Sequence, residues 1–506
     1  MILHKAQNAI RNSFWGGVNK MIMTLFPFLI RTVIIKKLGT EYVGLNGLFT
    51  SILSVLNISE LGISTAIVYS MYKPIAEENA KTICALMKFY KTAYRLISCF
   101  VFIVGILLIP FLDQLIKGPI DIDINIYILY LIYLGNSIMG YSMYAYKTCL
   151  FTAHQRNDIS YRVQTAVVFI QYLAQILIII FMKDYYMYVS CIIAATIMQN
   201  IILSRKADKE YPQYRSEGML SEEILKEIKK QIGGLLIGNI NVVIRNSMDS
   251  IFISSFIGLV AVGMYSNYYL IVTSVVGFIS IISTSLIAGV GNSIVVYSIE
   301  KNYEDLKCLT FVVSWLVGFC SVCILCLIQP FMEIWVGKEL MFHDGMAVIC
   351  ALYLLVGKIG LVRGIYTEAL GLWWQMKTYS IVDIFVNFIM NLVLAWKWGA
   401  YGILFATVMC IGIYGVPYST YILFKEYFGL DKYKDYMKDL FKYIMAACLI
   451  GAVTYGICSL IRVKPILKFV YCFFVCMIVP NVLYYIIYNR NQYFIYVKNR
   501  IKNSVF

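Results

Sequence analysis

Arg31 stands inside an apolar run, FLIRTVII. An ionised guanidinium near a bilayer centre costs roughly 2.5–3.5 kcal/mol on insertion scales. No carboxylate lies three or four residues away to neutralise it, and it is too deep to snorkel easily, so it is expected to line a polar cavity. Lys20, Thr24, Pro27 and Arg31 follow spacings of 4, 3 and 4 and share one helical face. A guanidinium forks onto phosphate oxygens, whereas an ammonium acts as a point charge. The stripe therefore suits an anion met at Lys20 and held at Arg31, about 16 Å further along the axis. Other ionisable groups inside apolar runs extend the pattern. Arg245 and Asp249 are four residues apart and can pair, and Lys358 and Arg363 share another run. Glu60 follows Asn57, and Asp383 precedes Asn387 and Asn391 on one face. Lys147, near a span end, is expected to snorkel, and counted with the others it makes six cations against three carboxylates, an interior that attracts anions and repels cations. Glu60, Asp249 and Asp383 are the candidates for coupling to a proton or sodium ion.

These groups must be carried by helices that cross a membrane. The chain has 506 residues, is 60% hydrophobic and only 14% charged, and has a mean hydropathy of +0.74. Apolar runs long enough to span the hydrocarbon recur from end to end. They predict an all-α polytopic membrane protein with about fourteen spans, at 13–36, 44–71, 92–112, 126–149, 162–182, 186–204, 232–257, 263–290, 309–330, 346–368, 378–396, 400–424, 441–461 and 466–489. The N-terminal MILHKAQNAIRNS lacks the apolar core of a signal peptide. The fourteen cysteines lie mostly within apolar runs and form no disulfide framework. Cys320, Cys323 and Cys326 have a metal-like spacing, but no histidine or carboxylate accompanies them, so the run is expected to be a packed small-residue face with no metal.

The net charge of +15 reflects loop lysines and arginines, not a nucleic-acid surface. Cations at span ends are assigned to the adjoining connection. The tails and even-numbered connections then hold 28 of the 43 Lys and Arg, and the odd-numbered connections hold nine. The positive-inside rule places both termini in the cytoplasm. The longest connection, 205–231, reads as a charged linker ending in a short amphipathic helix with Ser221 as N-cap. On either side of it the sequence repeats weakly. Gly39, Val43 and Gly44 match Gly258, Val262 and Gly263 at an offset of 219, so each repeat holds six spans inserted the same way round. The expected divisions are 1–204, a first six-helix bundle; 205–231, the linker; 232–424, a second bundle; and 425–506, two further spans and a tail.

The run PFLIRTVIIKKLGTEYVGLNGLFTSILSVLNISELGISTAIVYSMYKPIAEE resembles the opening of bacterial polysaccharide-repeat flippases, of the multidrug/oligosaccharidyl-lipid/polysaccharide exporter superfamily. FTAHQRNDI, DSIFISSFIGLVAVGMYSNYYLIV and LAWKWGAYGI are similar to the same family, so the resemblance covers nearly the whole chain. It implies two six-helix bundles around a central cleft plus two C-terminal helices. It also implies export of undecaprenyl-pyrophosphate-linked oligosaccharide across the bacterial cytoplasmic membrane, for capsule, exopolysaccharide or O-antigen-type assembly. Related peptidoglycan lipid flippases carry a first-helix arginine eight residues before the glycine that Gly39 resembles, and Arg31 occupies that place. Arg245 and Arg363, with Lys358, are candidates for their further cavity cations without a residue-by-residue match.

The expected substrate-binding set is thus Arg31, Lys20, Arg245, Arg363 and Lys358. No cofactor is expected, and coupling would be to protons, sodium or the membrane potential. The partners would be the lipid-linked substrate, the bilayer, and the polymerase and glycosyltransferases of the same pathway. A drug/cation antiporter of the same superfamily would need a cavity dominated by carboxylates. A peptidoglycan precursor flippase is a further alternative. A membrane glycosyltransferase would need a general base and an extramembrane site, and the chain has three histidines, none in an expected span, so an enzyme is not expected.

Overall fold

The computed structural model describes residues 2–60, 62–117, 124–461 and 463–504, and among them there is no strand. The helices are α1 (Ile2–Lys37), α2 (Thr40–Leu56), α3 (Ile63–Ala76), α4 (Ala80–Leu107), α5 (Ile126–Ser142), α6 (Thr148–Ala153), α7 (Asn157–Phe181), α8 (Tyr185–Glu210) and α9 (Glu222–Phe256). They continue with α10 (Leu259–Val296), α11 (Ile299–Trp335), α12 (Gly345–Ile359), α13 (Leu361–Ala369), α14 (Lys377–Met409), α15 (Val416–Leu423), α16 (Tyr433–Ser459), α17 (Pro465–Tyr488) and α18 (Gln492–Ser504).

Ten segments among the described residues are long and apolar enough to cross a membrane, or eleven with the bent pair α5 and α6, whose axes differ by 46°. The remaining expected spans are found where helices break or merge. Span 44–71 is divided between α2 and α3 by the turn Asn57–Glu60. Spans 378–396 and 400–424 run together as Lys377–Phe428, broken at Gly399, whose φ of 57° interrupts the helix. Span 232–257 falls within α9. The protein is an all-α polytopic membrane protein.

The chain forms two compact units, residues 1–263 and 264–506. In the first, α1 packs along α7, α7 along α8, and α5 between α4 and α8, while α9 lies against α2 and α3. Leu45, Leu48, Phe49, Tyr90, Tyr130 and Phe151 are fully buried there. Burial of each such side chain contributes on the order of 1.5–3 kcal/mol. In the second unit α11 is the hub on which α12, α16 and α17 pack. At one end of α11, Lys307 is bridged by Asp435 at 2.7 Å and Asp439 at 3.2 Å, both on α16.

Two expectations change here. The helix capped by Ser221, whose Oγ accepts from the Ile224 N–H, is not a separate linker helix but the start of α9. Helix propagation adds a bond per residue once the cap has formed the first turn, and no proline stands between Glu222 and Phe256. Lys147, counted above as an interior cation, is paired at 2.6 Å with Asp208, because α8 continues to Glu210 and carries that carboxylate with it.

The weak repeat is visible in the backbone. Gly39 and Gly258 have φ of 118° and 124°, a region closed to side chains with a Cβ. The N–H of each donates to the carbonyl five residues back, Ile34 and Ile253, both at 3.1 Å. Just beyond, α2 and the first turn of α10 cross within the first unit. A Cβ on Gly44 would come closer than 3.0 Å to the Leu259 carbonyl, and one on Gly263 equally close to the Thr40 carbonyl. The obstacles are backbone atoms, which cannot rotate away. Gly44→Val and Gly263→Val are each expected to destabilise by about 1–3 kcal/mol or more through overpacking. Thermal unfolding of the purified protein in detergent measures this. Gly140→Ala on α5, where nothing lies within 4 Å, is the control expected to be harmless.

Candidate functional site

The site is built outward from α1. Asn19, Met23, Phe26, Ile30 and Ile34 form the face turned to α7 and the core. Asn19 Nδ2 donates to Thr165 Oγ1 at 3.2 Å, Tyr172 approaches Met23, and Phe26 stacks on Tyr172 with ring centres 5.3 Å apart. Ile30 and Ile34 are buried. Lys20, Thr24, Pro27 and Arg31 each follow a residue of that packed face or stand one place beyond it. They therefore lie about 100° further round the helix. Lys20 is exposed, and Thr24, Pro27 and Arg31 are half-buried. The helix runs without interruption through Pro27.

The base of α1 is clamped. Asp158, buried in the turn that opens α7, lies 3.7 Å from Arg11, 3.1 Å from Arg156 and 3.7 Å from Arg162. Its backbone N–H donates to Asn12 Oδ1 at 2.7 Å. The HQRND stretch singled out in the sequence thus fixes the helix that carries Lys20 and Arg31.

Around Arg31 the partners come from α8. The guanidinium lies within electrostatic reach of Tyr185 and Tyr188, three residues apart at the start of that helix. Both rings are locked. They stack with centres 5.1 Å apart, and the Tyr185 hydroxyl donates to the Tyr42 carbonyl at 3.0 Å. The Tyr188 carbonyl accepts from buried Gln175 at 3.0 Å. Tyr133 stands 3.3 Å from the Tyr185 hydroxyl and donates to Asn46 at 2.7 Å. Fixed hydroxyls and rings near a cation make a pre-shaped polar wall, which lowers the entropic cost of binding an anion there.

The other candidates occupy different surroundings. Glu60, in the turn between α2 and α3, accepts a 2.8 Å hydrogen bond from Tyr94, which accepts one of 2.6 Å from Tyr90. The Tyr141 ring lies 5.5 Å from that of Tyr94. Arg245 is half-buried on α9 and Asp249 is 3% exposed, on the helix that packs against α2. In the second unit, Lys358 is half-buried in the last turn of α12. Gly360 breaks the helix there, and Arg363 opens onto α15. Its Nη1 donates to the Val416 carbonyl at 3.1 Å, to the Ser419 hydroxyl and to Thr420 at 3.5 Å. Asp383 is fully buried and accepts from the Cys410 thiol at 3.3 Å. Asn387 donates to Thr407 and Asn391 to Asn387, both at 3.2 Å, so this row joins the two arms of α14.

Lys20 and Arg31 therefore share one face, and Arg363 and Asp383 approach the segment 410–420 from two sides. Glu60 belongs to a separate tyrosine cluster. Reading the sequence missed Tyr185, Tyr188, Tyr133 and the Tyr90–Tyr94 pair. The one local signal was the spacing of Tyr185 and Tyr188 at the head of an apolar helix.

A family model described as "Polysaccharide biosynthesis protein" matches residues 9–287. A comparison with curated protein sequences gives no match. Among solved structures, the fold is similar to that of a lipid II flippase, MurJ, in an inward closed conformation. The TM-score is 0.65 and the identity 14%, over 95% of this chain and 99% of that one. A MATE transporter from Vibrio cholerae has a TM-score of 0.58 and 15% identity, over 83% of this chain and 97% of that one. An inward-facing multidrug-resistance MATE transporter of the MOP superfamily gives 0.55 and 13%, over 81% and 98%.

Proposed function

Because the chain belongs to the polysaccharide biosynthesis protein family, which fits this membrane-embedded transporter fold, we propose that it is a flippase for lipid-linked oligosaccharide. It exports undecaprenyl-pyrophosphate-linked repeat units across the bacterial cytoplasmic membrane by alternating access, for capsule, exopolysaccharide or O-antigen-type glycan. The observation that carries this reading is the cationic stripe of α1. Lys20 is exposed and Arg31 lies within electrostatic reach of fixed tyrosines, an arrangement suited to a pyrophosphate. Transport breaks no bond, so no catalytic group is required.

The 28-to-nine asymmetry of Lys and Arg supports cytoplasmic termini, with substrate entering from the side of Lys20 and moving toward Arg31. The lipid tail stays in the bilayer while the head group crosses. Glycosyltransferases supply the substrate and a polymerase consumes it. A drug/cation antiporter is disfavoured because, even with Lys147 paired to Asp208, the interior cations Lys20, Arg31, Arg245, Lys358 and Arg363 outnumber the carboxylates Glu60, Asp249 and Asp383.

The test is deletion of the gene in its host. Undecaprenyl-linked glycan is expected to accumulate on the cytoplasmic face, where impermeant glycosidases cannot reach it in intact cells, and expression of the chain should clear it. Unchanged delivery of glycan to the outer face in the deletion strain would refute the reading.

A further inference from the structure

Cys326 on α11, Cys458 on α16 and Cys476 on α17 are all buried, and their three Sγ atoms lie within 4.8 Å of one another. A fourth thiol, Cys472, one turn before Cys476, is also buried and reaches the Cys458 sulfur. None of the four is in a disulfide. Close helix packing does not itself call for sulfur. Elsewhere in the same α11–α16–α17 interface the close approach is made by Gly318, Ala447 and Gly451, which carry no reactive group. Four thiols from three helices converging on one point is a different arrangement. It does not follow the Cys320, Cys323, Cys326 spacing, since the first two are half-buried and only Cys326 joins the group.

We propose that Cys326, Cys458 and Cys476, with Cys472 as a fourth donor, form a binding site for a soft, thiophilic cation with a filled d shell: Cu(I), Zn(II) or Cd(II). Three sulfurs no more than 4.8 Å apart all lie within about 2.8 Å of some common point. Metal–thiolate bonds are about 2.3 Å long, so each sulfur needs to settle inward by about half an ångström. The donors are sulfur alone, which favours these ions over the hard cations that take oxygen. Each thiol that ligates as thiolate gives up its proton to water, and the cation's charge compensates the thiolates in apolar surroundings. The bound ion ties α16 and α17 to α11, and so couples metal occupancy to the stability of the second unit.

The full-length protein, purified anaerobically in detergent, is titrated with Cd(II) and separately with Cu(I). One ion per chain is expected, with a sulfur-to-metal charge-transfer band and an upward shift of the unfolding temperature. Cys458→Ser and Cys476→Ser are each expected to weaken binding at least tenfold. The double variant Cys320→Ser with Cys323→Ser should bind as the parent does. X-ray absorption of the loaded parent should show sulfur neighbours only, and this readout stands even where a cysteine variant fails to fold. Nitrogen or oxygen in the first shell, or undiminished binding by a folded Cys458→Ser protein, overturns the proposal.

Discussion

Arg31→Ala is expected to abolish export while leaving the protein in the membrane at its normal level. The guanidinium is proposed to hold the pyrophosphate through paired, charge-assisted hydrogen bonds. Losing one partner of a buried charged contact costs about 2–5 kcal/mol, or roughly thirty- to several-thousand-fold in affinity. The fold should tolerate the change. α1 is anchored by Asn19, Phe26, Ile30 and Ile34 on the adjoining face and by Asp158 at its base. Arg31→Lys keeps the charge but loses the fork, so export is expected to be impaired rather than lost. Complementation of the deletion strain, with immunodetection of membrane-resident protein, gives both readouts. Full export by a normally abundant alanine variant would leave Arg31 a structural residue.

The second large effect expected is on the driving force. A pyrophosphate diester carries about two negative charges, and with the cell interior negative each gains ~2.3 kcal/mol per 100 mV on moving outward. Two charges gain ~4–5 kcal/mol, about a thousandfold in the outward-to-inward ratio, before any ion is coupled. Flipping in proteoliposomes under potassium-diffusion potentials of opposite sign is expected to be faster when the side bearing the substrate is negative. A rate indifferent to potential, with no proton or sodium gradient, would remove voltage as the driver. Asp249→Asn separates the two sources of energy. Collapse at every potential would point to ion coupling through that carboxylate, with Glu60 and Asp383 the next to replace.

Much of the fold was legible because its signals are local. A bilayer demands long apolar runs, and these announce the helices by length alone. Gly39 and Gly258 were legible for a similar reason, since a turn needing φ near 120° selects glycine at both places. The stripe from Lys20 to Arg31 is likewise a property of one helix. What escaped was tertiary. Lys147 read as a snorkelling cation without a partner because Asp208 was placed beyond a span end, in a segment where α8 in fact continues. Tyr185 and Tyr188 stand more than 150 residues along the chain from Arg31, and no spacing links them to it. Cys326 looked like the third tooth of a helical face. Its sulfur neighbours, Cys458 and Cys476, lie more than 130 residues away, so only the packing of α11, α16 and α17 reveals them.

The glycine crossing has a consequence for which substitutions the chain can accept. Shifted by 219, Thr40 becomes Leu259 and Gly44 becomes Gly263. Gly44 meets Leu259 while Gly263 meets Thr40, so position 40 of each repeat touches position 44 of the other. A contact in which i touches j and j touches i is the mark of an isologous, two-fold interface. The two matched stretches therefore place the same constraint on each other within the first unit, and a glycine cannot be given up on one side alone.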